Sequence, residues 1–312
     1  MNTQSHPRPS ARACELVRGA YDLHVHTSPD IMPRSASDLE LAYRCRQWGL
    51  AGFVIKSHYV PTAERAALVR SLVPDVDVLG ALVLNSAIGG MNTMAVEIAA
   101  RAGARIVWMP TVDAVNEMTE QSSLPPGAKR PQWARLQQEL RDQGVKSEPV
   151  RVVDDQHQVL PEVRSVLRSI ATHDLVLATG HLDRDEIFAV VEAALVEGVQ
   201  QIIVTHPDYP AENLSAEDQA ALAERGAFLE RCFTTPYTGK ISWEQMCANI
   251  RASGPEYSFL STDLGQPTNP PIEDGIALMA DQLLAAAFSE EEIHTMAVTN
   301  TVRLARGEQS HE

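Results

Sequence analysis

"YDLHVHTSPD", residues 21–30, sets two histidines, His24 and His26, at the end of an apolar run, with a carboxylate, Asp22, just before them. In a β-strand successive side chains point to opposite faces, so residues two apart share a face. Both imidazoles then look the same way, an arrangement that is costly in a plain core and useful around a metal ion. The same alternation puts Asp22 on that face, deeper in the strand, where a carboxylate can orient a ligand histidine. No glycine follows the run, so it lacks the Gly-rich phosphate turn of an open doubly wound sheet.

Working outward, the first strand is expected over 20–26. Similar runs rich in Val, Ile and Leu recur at 52–58, 77–85, 105–112, 175–181, 201–207, 228–234 and 257–263. Such runs read as buried parallel strands. Amphipathic stretches separate them. One begins with Ser37 and Glu40 at capping-box spacing and stops at Gly49. Eight strands, each followed by a helical pattern, predict an α/β fold of the (β/α)8 TIM-barrel type over residues 20–307. Residues 1–19 read as a flexible arm and 308–312 as a tail. Residues 113–150 are too long for a simple connection. They are expected to be an insertion after strand four, lying over the strand ends as a lid, or else an oligomer contact or a disordered loop.

The chain of 312 residues carries a formal charge of −15, with 26 basic and 41 acidic residues. It has no Lys/Arg run, which argues against a nucleic-acid partner. Cys14, Cys45, Cys232 and Cys247 are scattered and form no CxxC pair, so a reduced, cytoplasmic setting is expected. No stretch of about 18 apolar residues is present, so no membrane span is expected. The partner expected is a small-molecule substrate, with a homo-oligomer allowed.

The strand runs end in chemistry. The first stops at His24-Val25-His26, the second at Lys56-Ser57-His58, the fifth at His181, the sixth at His206 and the eighth at Asp263. In a barrel all these ends lie on the rim that carries the active site. Five of the ten histidines occupy these places. Imidazole and carboxylate together suit zinc, and also manganese, iron or nickel.

The pattern resembles the amidohydrolase superfamily of metal-dependent barrel hydrolases from residue 20 to about 307, and an uncharacterised bacterial branch of it in particular. His24 and His26 match the first-strand HxH of that superfamily, His181 and His206 its fifth- and sixth-strand histidines, and Asp263 its eighth-strand aspartate. "TNTVRLARG" (299–307) looks like its closing Asn-x-x-Arg-Leu helix. Binuclear members usually carry a bridging carboxylated lysine or a glutamate on strand four. Here "RIVWMPTV" has neither, and Lys56 on strand two is the substitute candidate. A lysine near a dication is driven towards its neutral amine, which can take up carbon dioxide. Otherwise Lys56 binds an anionic substrate or joins an ion pair. A second resemblance is to the polymerase-and-histidinol-phosphatase phosphoesterases, where His58 matches the histidine after strand two.

The resemblance implies one or two divalent ions, most simply zinc, held by His24, His26, Lys56, His181, His206 and Asp263. Asp263 is expected to move the proton of a metal-activated water, and His58 to polarise the scissile carbonyl. The reaction expected is cleavage of a C–N bond in an amide, lactam or cyclic amide. A phosphoesterase and a metal-dependent decarboxylase or hydratase are the alternatives. Glu230, Tyr59, Arg65, Lys129, Arg130 and Trp133 are further polar or aromatic candidates, each equally readable as surface.

Overall fold

A computed structural model describes residues 6–123, 125, 130–145, 148–212 and 214–307. Eight parallel strands run in sequence order: β1 Tyr21–Val25, β2 Gly52–Ile55, β3 Asp77–Val83, β4 Ala104–Trp108, β5 Val176–Ala178, β6 Ile202–Val204, β7 Phe228–Cys232 and β8 Ser258–Ser261. β8 returns to β1 through Asp263 N donating to His24 O (2.8 Å) and His26 N donating to Leu264 O (2.8 Å). The result is the eight-stranded barrel expected. All eight runs are strands, but each ladder stops short of the reading from sequence. His24 lies within β1, and the other chemistry-bearing residues follow the last residue of their strands.

Alternation along the strands sorts the core. Val54, Ile106, Trp108, Val176, Ile203, Phe228 and Phe259 fill the barrel, while Phe53, Ile55, Leu177, Val204, Leu229 and Leu260 pack outwards against helices. β1 departs from this rule. Its register to β2 slips between Asp22 and Val25, three residues facing two. The extra residue is a bulge, a device that re-aims side chains beside active sites. Leu23 joins the barrel interior and Val25 the outer layer. Asp22 therefore does not share a face with His24 as expected. It accepts from Thr262 Oγ1 (2.6 Å) and Thr262 N (3.1 Å), fastening β1 to the segment after β8.

The helix Asp38–Trp48 has the expected capping box, Ser37 with Glu40, and ends on Gly49 at φ 75°. Residues 11–16, expected to lie in a flexible arm, form a helix instead. Ser10 caps it by accepting from Ala13 N (3.1 Å), and Asp281 accepts from Ser10 N (2.7 Å) and Oγ (2.6 Å). Ala13 and Val17 are buried in the outer core, and that burial is what fixes the segment. Near the other end Asn300 donates to Ser258 O (2.7 Å), so the closing helix, Asn300–Arg306, is tied to β8. The 113–150 segment contains helices Val115–Ser123 and Gln132–Asp142. Gln137 anchors the second by donating to Val112 O (2.9 Å) and Asp113 Oδ1 (2.7 Å). None of the described helices is long and apolar enough to cross a membrane. The four cysteines are free.

Candidate metal centre

The strand ends bring five imidazoles into a closed circle. Ring centroids are 5.4 Å apart for His24–His26, 5.1 Å for His26–His58, 6.1 Å for His58–His181, 5.0 Å for His181–His206 and 6.1 Å for His206–His24. His181 follows Gly180, whose φ of 65° and close approach to Pro110 O leave no room for a side chain. His206 (φ 26°) and Asp263 (φ 52°) adopt left-handed backbone that non-glycine residues seldom take. Such strain is held only where the surroundings over-determine it, and it clusters at functional sites.

What touches the back of each ring decides which nitrogen faces inwards. His26 Nδ1 lies 3.0 Å from Lys56 O, which can only accept, so Nδ1 carries the proton. His24 Nδ1 lies 3.0 Å from Glu230 Oε1, and His181 Nδ1 lies 2.9 Å from Glu117 Oε2. Burial lowers the pKa of all five histidines, that of His26 to about 3. Neutral rings protonated at Nδ1 present Nε2 lone pairs. Burial alone would raise Glu230, but His24 beside it holds its carboxyl down to about 2.

The lone pairs converge. Asp263 Oδ1 is 3.3 Å from His24 Nε2 and 3.1 Å from His26 Nε2. Two imidazole lone pairs and a carboxylate oxygen facing one another at this spacing repel unless a cation lies among them. These three residues form a group able to hold a metal ion. Imidazole and carboxylate are ligands of zinc and its neighbours, and the ring partners behind them supply the orientation such ligands need. The residues present therefore fit a divalent ion.

His58 is turned the other way. Its Nδ1 is 2.8 Å from Thr111 Oγ1, and Thr111 Oγ1 also accepts from Asn85 Nδ2 (2.7 Å). Asn85 is oriented by Thr111 N, which donates to its Oδ1 (2.8 Å). The hydrogen-bond network thus assigns the Thr111 hydroxyl proton to His58 Nδ1, leaving His58 with an Nε2–H donor. Lys56 is buried with Nζ 2.9 Å from His24 Nε2 and 5.3 Å from the Trp108 ring centre. Among the described residues it forms no salt bridge, and burial lowers its pKa. Trp108, at the end of β4, packs beside His24 with ring centres 5.8 Å apart. Behind His206, Glu212 Oε1 is 3.1 Å from Nδ1 but out of line for a hydrogen bond, and burial raises Glu212 well above the carboxylate range.

All seven residues expected from the sequence thus meet at one mouth. Of the further polar candidates, Glu230 supports the rings directly, and other supporting groups were missed. Glu230 takes the orienting role expected of Asp22, accepting from His24, from Ser261 Oγ (2.8 Å) and from His206 N (3.1 Å). Glu230 and Cys232 share the inward face of β7, which two-residue alternation in "FLERC" allowed. Thr234 Oγ1 donates to Asp263 Oδ2 (3.0 Å), and no local sequence signal marks it. Arg65 does not line the site; it pairs with Asp38 (2.8 Å). Arg130 and Trp133 line a cavity of about 490 Å³ above the imidazoles. Tyr59 stands beside His58, ring centres 6.3 Å apart, and Lys129 lies outside the described residues.

Solved structures share this architecture. An amidohydrolase from Pseudomonas aeruginosa is 11% identical, with a TM-score of 0.59 over 94% of this chain and 98% of that one. A metallo peptidase from Rhodobacter sphaeroides, liganded with a phosphinate mimic of a dipeptide, is 13% identical, with a TM-score of 0.57 over 93% and 99%. An organophosphorus hydrolase variant from Deinococcus radiodurans is 13% identical, with a TM-score of 0.51 over 94% of each chain. At these identities the likeness establishes the barrel fold and nothing finer. No curated protein is significantly similar in sequence. Residues 19–230, more than half of the chain, match the model described as Family of unknown function (DUF6282), a span that includes every histidine of the circle and ends before Asp263. The chain belongs to that family, and its eight-stranded barrel carries five imidazoles at its mouth.

Proposed function

We propose that the protein is a metal-dependent hydrolase, with zinc the simplest ion, that cleaves a C–N bond in an amide, lactam or cyclic amide of a small molecule. The observation that carries this reading is the convergence of His24 Nε2, His26 Nε2 and Asp263 Oδ1. His24, His26 and Asp263 would hold one ion, and His181 and His206 a second. A divalent ion in such a site lowers the pKa of water to about 7 and polarises a carbonyl.

The chain's own groups supply the rest. Asp263 takes the proton of the attacking water and returns it to the leaving nitrogen, with Thr234 steadying its other oxygen. His58 directs its Nε2–H at the carbonyl oxygen, where negative charge grows. The cavity walls exclude bulk water and strengthen both interactions. Lys56, buried and without an acid partner, is proposed to be carboxylated. Its neutral amine would form an Nζ–C bond to carbon dioxide, the proton would leave to solvent, and the carbamate would supply a further oxygen ligand.

The test is a panel of N-acyl amino acids, lactams, cyclic imides and phosphate esters, run on zinc-loaded and chelated protein. Turnover of a C–N substrate only when loaded is the expected result. Turnover of phosphate esters alone would replace this reading with the phosphoesterase one. Crystals grown with bicarbonate are expected to show a branched density at Lys56 Nζ. An unbranched side chain there would remove the carbamate while leaving the hydrolase in place.

A further inference from the structure

The cavity above the imidazoles is cationic in an acidic protein. Arg34, Arg130 and Lys240 line it, while the chain as a whole carries −15. Of the acids in the same wall, Asp263 and Glu117 are engaged by imidazoles, which leaves Glu120.

Arg34 is the fixed member of this set. Its side chain is only 6% exposed, Asp30 Oδ2 accepts from its Nε (2.9 Å), and the ion pair brings Nη2 to 2.8 Å from the same oxygen. Nη2 also lies 3.4 Å from His26 Nδ1. That nitrogen already donates to Lys56 O (3.0 Å), so it cannot accept from Arg34. Nη1 has no protein partner among the described residues and is not enclosed, so the Nη1–Nη2 edge keeps two N–H groups for a ligand. The loop that carries Arg34 does not need it as a stitch. Ser28 N donates to Ala36 O (2.9 Å), Ser35 N to Gly265 O (2.8 Å) and Asp38 N to Ser28 O (2.9 Å). Asp30 instead holds the guanidinium in one orientation, which lowers the cost of ordering it on binding. Lys240, by contrast, is exposed and rests over the Tyr209 ring at 4.5 Å.

We propose that the Nη1–Nη2 edge of Arg34 is the recognition site for a carboxylate, so that the ligand of the cavity is a small carboxylic acid. A planar fork matches a carboxylate with two parallel hydrogen bonds. Asp30 cancels part of the local charge and Glu120 faces the same space, which suits a monoanion better than a phosphate dianion. That the acid presents its scissile bond to the imidazoles rests on the hydrolase reading; the carboxylate preference does not.

Calorimetric titration of chelated, metal-free protein keeps the ligand from using an ion instead. The probes are N-acetylalanine, N-acetylphenylalanine, N-acetylglutamine, their methyl esters, and methyl phosphate. At least one acid is expected to bind about tenfold or more tightly than its ester, the size of a charge-assisted hydrogen bond. Asp30→Asn/Arg34→Gln, which removes both charges together and leaves no unpaired acid, is expected to abolish that preference. Lys240→Gln is expected to retain it. Equal binding of acids and esters, binding by none of the acids, tighter binding of methyl phosphate, or a preference surviving in the double variant would each overturn the proposal. Arg34-dependent binding of an acid with no C–N turnover after zinc is restored would overturn the hydrolase reading and leave this one standing.

Discussion

Asp263→Asn is expected to lower kcat/KM for the amide that turns over by about a thousandfold, within the range for loss of a positioned acid–base group. The substitution removes the charge and the proton-accepting capacity but little volume. It also suits the backbone, because Asn tolerates the left-handed conformation found at φ 52°. The amide can still accept from Thr234 Oγ1, which lies 3.0 Å from Oδ2 in the native protein. Circular dichroism and denaturation should therefore match the native protein while activity collapses. Metal content should fall less than activity, since His24 and His26 remain. Activity within tenfold of native would show that the proton is moved elsewhere.

Arg231→Met is expected to destabilise the fold by about 3–5 kcal/mol, the cost of leaving a buried charge unpaired. Arg231 lies on the outward face of β7 and is fully buried. It donates through Nη1 to Asp208 Oδ1 (3.0 Å) and Oδ2 (2.9 Å) and to Gln219 Oε1 (2.6 Å), and through Nη2 to Ser253 Oγ (2.8 Å). Asn249 Nδ2 adds a further bond to Asp208 Oδ1 (2.7 Å). One guanidinium thus ties β7 to the helices Ala216–Glu224 and Trp243–Ser253 and to the loop after His206. Loss of Arg231 strands Asp208, whereas the double variant Arg231→Met/Asp208→Leu replaces the pair by apolar contacts and should recover much of the stability. Urea denaturation of the two variants decides it. A single variant as stable as the double would show that Asp208 finds another partner.

The sequence carries the barrel and its rim because both depend on local patterns. Eight apolar runs separated by helical ones leave few topologies, and residues at strand ends are brought together by closure rather than by any pairwise signal. His24, His26, Lys56, His58, His181, His206 and Asp263 were legible for that reason. Asp22 was misplaced because a bulge of one residue inverts the facing of everything before it, and bulges leave little trace in composition. Glu230 and Arg231 are adjacent and both charged. Alternation says that one faces in and the other out, but only the partners, His24 within and Asp208 without, say which. The tautomer of His58 depends on Thr111 and Asn85, from β4 and β3 loops more than twenty residues away, so no motif could have revealed it. The helix at 11–16 was hidden because six residues are too few to show a helical period, and its stability comes from packing rather than propensity.

Whether the circle of imidazoles holds a divalent cation is read by elemental analysis of the protein purified without chelator and then dialysed against zinc. At least one tightly held equivalent per chain is expected, lost in a folded His24→Asn/His26→Asn variant. A native, folded protein that retains no divalent ion, or a double variant that retains as much as the native one, would contradict it.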